Sequence, residues 1–214
     1  MPGDLGQEFS LPALYAVLDI DLCLERGLDP LAVLAAFLAG GARLLQLRDK
    51  SSSSARRLAR ADAVVEQAHA AGTWVIINDR ADIARLSGAD GVHVGQDDLS
   101  VEEARGILGP DAIVGISTHD QAQIDAATRT AATYIAVGPI YDTATKDTGY
   151  PARGLDLVRQ AALTGRPVVA IGGITLDNAR GVIDAGAASV AVISGLLQGD
   201  PEACARAFIS RLSR

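Results

Sequence analysis

The chain has 214 residues, nearly half of them apolar and only 4% aromatic, and a net charge of −7. That length suits one α/β barrel, and that composition suits buried parallel strands under close-packed helices; a disulfide scaffold and a disordered chain are excluded. Negative charge without a basic cluster argues against nucleic-acid and anionic-membrane partners, so any phosphate site has to be built locally from a few cations, backbone N–H groups and a divalent metal.

Residues 1–11 read as an N-terminal extension, without the basic start and apolar core of a secretory peptide. No apolar run reaches membrane-spanning length. The first strand-like run is ALYAVLD from Ala13. Asp19, Ile20 and Asp21 follow it, where a doubly wound open sheet, the runner-up architecture, would more often carry a glycine-rich phosphate fingerprint. Cys23 and Cys204 stand far apart without metal spacing and fit a reducing cytoplasm. Asp29-Pro30 supply an N-cap and a first-turn proline, and Leu31, Leu34 and Leu38 then share a helical face.

The second run, RLLQLRD from Arg43, leads into Lys50. Strand periodicity puts Gln46, Arg48 and Lys50 on one side, two cations and an amide that suit a multiply charged anion. A surface Arg–Asp pair beside a solvated lysine is the alternative. Ser51 to Ser54 read as a loop and helix start, with Leu58, Ala61, Val65 and Ala68 on the next apolar face. The third run, WVIINDR from Trp74, ends in Asn78-Asp79, a pair with no packing reason to follow an apolar strand. Asp79 could bind a metal and Asn78 a phosphate oxygen, or either could cap a helix. The fourth, DGVHVG from Asp90, ends in Gln96-Asp97-Asp98. Adjacent carboxylates call for a positive partner, and Mg²⁺ takes one or two carboxylates plus phosphate oxygens and water. Asp79 and Asp98 are therefore assigned as its ligands, one Mg²⁺ per site, with Asp97 as a turn residue.

Ser100 and Glu103 form a capping box before the next helix. The fifth run, AIVGIS from Ala112, is followed by Thr118 and His119. Ser117 can meet a substrate, whereas His119 reads either as an acid–base residue or as a capping or surface residue; nothing indicates a nucleophile elbow. The sixth, TYIAVGP from Thr133, opens the longest irregular loop, in which Thr143, Ala144, Thr145 and Lys146 alternate hydroxyls with a cation and a lid-like stretch follows. The seventh and eighth, PVVAIGG from Pro167 and SVAVISG from Ser189, end in Gly172-Gly173 and Ile193-Ser194-Gly195. Glycines there let backbone approach a phosphate. Asp200-Pro201 then starts a helix with Ala205, Phe208, Ile209 and Leu212 on one face. Gly40, Gly72, Gly88, Gly109 and Gly186 are expected as left-handed helix ends. Eight βα units over 1–214 make a single (β/α)8 barrel with its active site on the C-terminal rim.

In that order and spacing, QLRDK, IIND, GVHVGQDD, GIST, GPIYDTATK, AIGGI and VIS resemble thiamine phosphate synthases over nearly the whole chain. The resemblance implies a cytoplasmic transferase that joins hydroxymethylpyrimidine diphosphate to a thiazole phosphate, carboxylated or not, with loss of diphosphate. It implies that Gln46, Leu47, Arg48, Asp49, Lys50, Asn78, Ser117 and Lys146 bind the pyrimidine diphosphate and that Asp79 and Asp98 hold Mg²⁺. Thr143, Ala144, Thr145, Gly173, Ile193 and Ser194 would take the thiazole phosphate. Lys146, Ser117, Arg48 and Lys50 form the expected catalytic set, through charge neutralisation and positioning rather than a protein nucleophile. A thiazole tautomerase, which would lean on His119, and a non-catalytic regulator that binds the thiazole phosphate are the rivals. Another phosphate-binding barrel would share only the late glycines. Homo-oligomerisation is left open.

Overall fold

A computed structural model describes residues 9–143 and 149–213. All eight expected runs form strands: β1 (Leu14–Asp19), β2 (Leu44–Arg48), β3 (Trp74–Asn78), β4 (Gly91–Val94), β5 (Ile113–Thr118), β6 (Tyr134–Val137), β7 (Val168–Ile171) and β8 (Ser189–Val192). Each pairs in parallel with its sequence neighbours, and β8 returns to β1 with Leu14 opposite Val190, which closes the barrel. The open-sheet alternative is thereby ruled out.

Around it lie α1 (Ile20–Glu25), α2 (Pro30–Ala39), α3 (Ser54–Ala70), α4 (Ala81–Ser87), α5 (Val101–Leu108), α6 (Gln121–Thr128), α7 (Gly154–Ala162), α8 (Ala179–Asp184) and α9 (Pro201–Leu212). Their starts follow local chemistry. Asp29 and Asp200 each cap a helix with proline in its first turn, and Ser100 and Glu103 make the expected reciprocal box. Helix α1 was not expected from the sequence; the Asp19 side chain starts it by accepting from the Leu22 N–H at 3.0 Å. One helix end departs from expectation. Gly40 stays right-handed at φ −71°, and the next residue, Gly41, turns the chain at φ 95°. Gly72, Gly88, Gly109 and Gly186 do take positive φ, although Gly109, at φ 104° and ψ 170°, lies outside the left-handed helical region.

The strand alternation sorts the core into two layers. Leu14, Ala16 and Leu18 face the helices in one large cluster, while Tyr15 and Val17 point into the barrel with Leu44, Ile76, Ile113, Tyr134 and Val169. Phe9, from the end of the extension, packs edge-on against Trp74 with ring centres 5.5 Å apart and joins the interior cluster. The N-terminal half of the barrel is therefore packed solid, and the strand C-termini surround open space.

Candidate active site

The strand C-termini and their loops line a cavity of about 730 Å³, within the range of small-molecule sites. Periodicity along β2 decides which of its polar residues reach it. Gln46, Arg48 and Lys50 line the cavity. Leu47 lies in the layer against the helices, and the Asp49 carboxylate pairs with Arg60 and accepts from the Ser52 N–H at 3.1 Å. Two of the five residues in that motif thus point their side chains away. Arg48 pairs with an aspartate, but with Asp19 across the β1–β2 junction, at 2.5 Å, rather than with its neighbour.

Neither Asn78 nor Asp79 caps a helix. The N-cap of α4 is Arg80, which makes no side-chain capping bond. Asn78 and Asp79 both line the cavity, and Asp79 sits at φ 62°, the one non-glycine residue at positive φ among those described. That backbone conformation is uncommon and concentrates at functional sites. Lys50 Nζ reaches Asp79 at 2.5 Å. The turn after β4 is braced by Asp98, not Asp97: an Asp98 oxygen accepts from the Gly95 N–H at 2.8 Å. Burial lifts the Asp98 carboxyl above its ordinary range; the Gly95 N–H opposes this, and the facing Asp79 carboxyl adds to it. Two hard carboxylate donors held together, short of a cluster of three among the described residues, fit a Mg²⁺ ion that completes its shell with substrate oxygens and water.

Sequence reasoning found Gln46 and Ser117 but passed over the rest of the cavity floor, Tyr15, His93 and Tyr134. His93 on β4 places Nε2 2.8 Å from Ser117 Oγ and Nδ1 3.0 Å from the Tyr134 hydroxyl. Tyr134 in turn meets Tyr15, whose hydroxyl accepts from Gln46 Nε2 at 3.0 Å. The available signal was parity: His93 interrupts the apolar run GVHV on its inward-facing positions. His119 does not cap either, since Asp120 caps α6. It stacks on Tyr150 with ring centres 4.3 Å apart, and Nδ1 lies 2.6 Å from the Gly138 carbonyl.

On the far side, Thr143, Gly173, Ile193 and Ser194 line the same cavity; Ala144, Thr145 and Lys146 lie outside the described residues. The late glycines have a nearer reason than ligand approach. A Cβ on Gly173, at φ 64°, would stand 2.6 Å from the Asp142 carbonyl, and one on Gly172 would stand 2.6 Å from Pro139 Cα. These glycines let the β6–α7 loop pack onto the end of β7. A short 3-10 turn, Ser194–Leu197, follows β8.

Fold and site together define a (β/α)8-barrel enzyme whose rim sets cations and paired carboxylates across one cavity from glycine-built turns. The family model described as thiamine monophosphate synthase matches residues 14–196. A thiamine-phosphate synthase from Koribacter versatilis (strain Ellin345) is 47% identical over 214 residues, covering 97% of this chain and 99% of that protein. One from Roseiflexus castenholzii (strain DSM 13941 / HLO8) is 42% identical over 197 residues, covering 91% and 86%. Among solved structures, a thiamine phosphate pyrophosphorylase from Pyrococcus furiosus superposes with a TM-score of 0.84 at 27% identity, over 93% of this chain and 94% of that one. The chain belongs to the thiamine monophosphate synthase family and is a transferase. Each of these relatives is named for the synthase reaction, so the tautomerase and regulator readings gain no support.

Proposed function

We propose that this chain joins 4-amino-2-methyl-5-hydroxymethylpyrimidine diphosphate to hydroxyethylthiazole phosphate, forming thiamine phosphate and releasing diphosphate. The observation that carries this reading is the division of a single cavity. Arg48 and Lys50 stand with Asp79 and Asp98 on the side of β2 to β4, opposite Gly173, Ile193 and Ser194 at the ends of β7 and β8. Two separate anion sites suit two phosphorylated substrates.

The bond that breaks joins the pyrimidine methylene to diphosphate oxygen, and the electron pair leaves with diphosphate. The electron-rich aminopyrimidine carries the positive charge left on the methylene carbon, and the thiazole nitrogen then closes the new C–N bond. Arg48 and Lys50 neutralise the departing charge, with Lys146 as a third cation. Asn78 and Ser117 orient the diphosphate substrate, and Gln46 holds it from the floor. Thr143, Ala144, Thr145, Gly173, Ile193 and Ser194 hold the thiazole phosphate so that its ring nitrogen faces the methylene carbon. Asp79 and Asp98 would hold one Mg²⁺, which when bound offsets charge on the diphosphate. Leu47 and Asp49 contribute through the backbone and through bracing of the β2 end, because their side chains face away from the cavity.

A diphosphate-release assay with both substrates tests the reading. Release is expected only when both substrates and Mg²⁺ are present, and Lys146→Ala and Asp98→Ala should each lower turnover by about two orders of magnitude or more with the fold intact. Absence of release from the unaltered protein would overturn the proposal. We read residues 1–214 as one barrel domain in a cytoplasmic enzyme of small phosphorylated substrates, free or as a homo-oligomer. Cys23 and Cys204 are unpaired, and no helix among the described residues is long and apolar enough to cross a membrane.

A further inference from the structure

We infer that Gln46, Tyr15, Tyr134, His93 and Ser117 form one directed hydrogen-bond chain under the cavity, in which the two tyrosines are positioning residues that fix the His93 tautomer and make the Ser117 hydroxyl a donor. The chain crosses the barrel interior from β2 to β5. Gln46 Nε2 donates to the Tyr15 hydroxyl at 3.0 Å, and the Tyr15 and Tyr134 hydroxyls lie 3.0 Å apart. Tyr134 meets His93 Nδ1 at 3.0 Å, and His93 Nε2 meets Ser117 Oγ at 2.8 Å. Both phenols are fully buried, and burial holds both above the ordinary tyrosine range, so each keeps its proton and can pass on only one hydrogen bond.

The direction follows from the first donor. Tyr15 accepts from the Gln46 amide, and among its described partners only the Tyr134 oxygen is left to take its own proton, so Tyr134 in turn gives its proton to His93 Nδ1. A neutral imidazole that accepts at Nδ1 carries its proton on Nε2 and donates to Ser117 Oγ. The serine proton is then directed into the cavity. At the other end the Gln46 carbonyl oxygen stays an acceptor. The floor therefore offers an acceptor at one end and a donor at the other. Its effect on turnover rests on the proposed reaction, whereas the polarity of the chain rests on the Gln46 donor and on each buried phenol having one proton to give.

The fold makes room for the chain. A Cβ on Gly115 would stand 2.1 Å from Tyr134 Cζ and 2.4 Å from its hydroxyl oxygen, so the glycine of the GIST run keeps clear the space that the phenol tip occupies. The His93 and Tyr134 rings stack at 15° with centres 5.7 Å apart, and the Tyr15 ring stands edge-on to Tyr134 at 88°. Such packing locks the rings, so the polarity is set by the end groups rather than by ring rotation.

The test is ¹⁵N NMR of histidine-labelled protein near neutral pH without substrate. The His93 signals are assigned by variants of the other two histidines, His69 and His119. The expected result for the unaltered protein is a neutral His93 with its proton on Nε2; a proton on Nδ1, or a doubly protonated ring, would overturn the inference without any variant. Gln46→Glu then places an acceptor-only carboxylate at the far end, with its ionisation followed by the infrared carboxylate band. Every bond should reverse, moving the His93 proton to Nδ1, and adding Tyr15→Phe should abolish that response. An unmoved tautomer in folded, ionised Gln46→Glu protein would overturn the chain. Tyr134→Phe is expected to lower kcat/KM for the pyrimidine diphosphate about tenfold, the equivalent of one lost hydrogen bond. Absent diphosphate release with the stated tautomers would reject the proposed reaction and leave the chain standing; normal release with the wrong tautomer would do the reverse.

Discussion

Asp19 illustrates how one side chain serves two levels of structure. One of its oxygens starts α1 through the Leu22 N–H, and the other takes Arg48 at 2.5 Å. Arg48 is otherwise a long cation at the mouth of the cavity, and the pair holds its guanidinium where a leaving diphosphate would need it. Losing the cap costs about 1 kcal/mol, and losing the ion pair costs more because the Arg48 cation left behind is itself largely buried. Asp19→Ala is expected to lose about 2–3 kcal/mol in urea unfolding and Asp19→Asn about 1 kcal/mol less, because asparagine keeps the cap acceptor. Equal losses would show that the cap contributes nothing. The neighbouring motif shows what a residue list conceals. Gln46, Arg48 and Lys50 were legible as a set from strand alternation alone. Asp49 looks like part of the same charged run, yet its carboxylate serves Arg60 and the Ser52 N–H behind the sheet.

At the scale of elements, two glycines of opposite character make a paired prediction. Gly115 lies in β5, where an added Cβ would collide with the buried Tyr134 ring at 2.1 Å. Tyr134 has no room to retreat, since Tyr15 and His93 hold it on both sides. Gly115→Ala is expected to cost about 3 kcal/mol, the upper part of the overpacking range, and to disturb the His93–Ser117 contact. Gly106 is exposed in α5, and a Cβ there meets nothing within 4 Å. Gly106→Ala should raise stability by about 0.5–1 kcal/mol through reduced chain entropy in the unfolded state and better helix propensity. Thermal unfolding of both variants checks the pair, and a shift of the same sign in each would contradict this account. The helix starts themselves were readable in advance because caps are local: Asp29, Ser100 and Asp200 act within three residues. Helix α1 was not, because its capping residue also reads as the end of β1 and its six residues are too few to show a helical period.

At the scale of the molecule, the barrel separates stability from chemistry. Asp90, just before β4, lies at the closed end. An Asp90 oxygen accepts from the Val75 N–H at 2.7 Å and lies 2.9 Å from His69 Nε2, while the other oxygen is buried without a hydrogen bond. Burial raises the Asp90 carboxyl above its ordinary range, and its hydrogen bonds only partly offset this. The folded chain therefore binds that proton more readily than the unfolded one. Its contribution to stability is fully present below the ordinary carboxylate value and is lost as pH rises through the folded-state value. Asp90→Asn removes the buried charge and keeps an acceptor for Val75. Its stability at neutral pH is expected to lie within about 1 kcal/mol of the unaltered protein or above it, with a flatter pH dependence in the weakly acidic range. Turnover should be unchanged, because the change is at the opposite end of the strands from the cavity. A large loss of kcat with normal stability would contradict that separation.

The eight strand positions, the barrel they imply and the shared side of Gln46, Arg48 and Lys50 on β2 were legible in the sequence, because they depend on period, turn chemistry and spacing. The sequence also marked the rim polar residues, which have no packing reason to follow apolar strands. Which side chains meet is settled by the assembled barrel. That Arg48 meets Asp19, that Asp79 faces Asp98 and Lys50, and that Gly173 accommodates the Asp142 carbonyl all join residues from different βα units. The floor shows this most clearly. Tyr15 and Tyr134 look like ordinary core residues in apolar runs, and with His93 they become a connected polar unit only when barrel closure brings β1, β4 and β6 around one axis. Closure is a long-range condition: parity marks His93 as inward, but no local pattern names its partners.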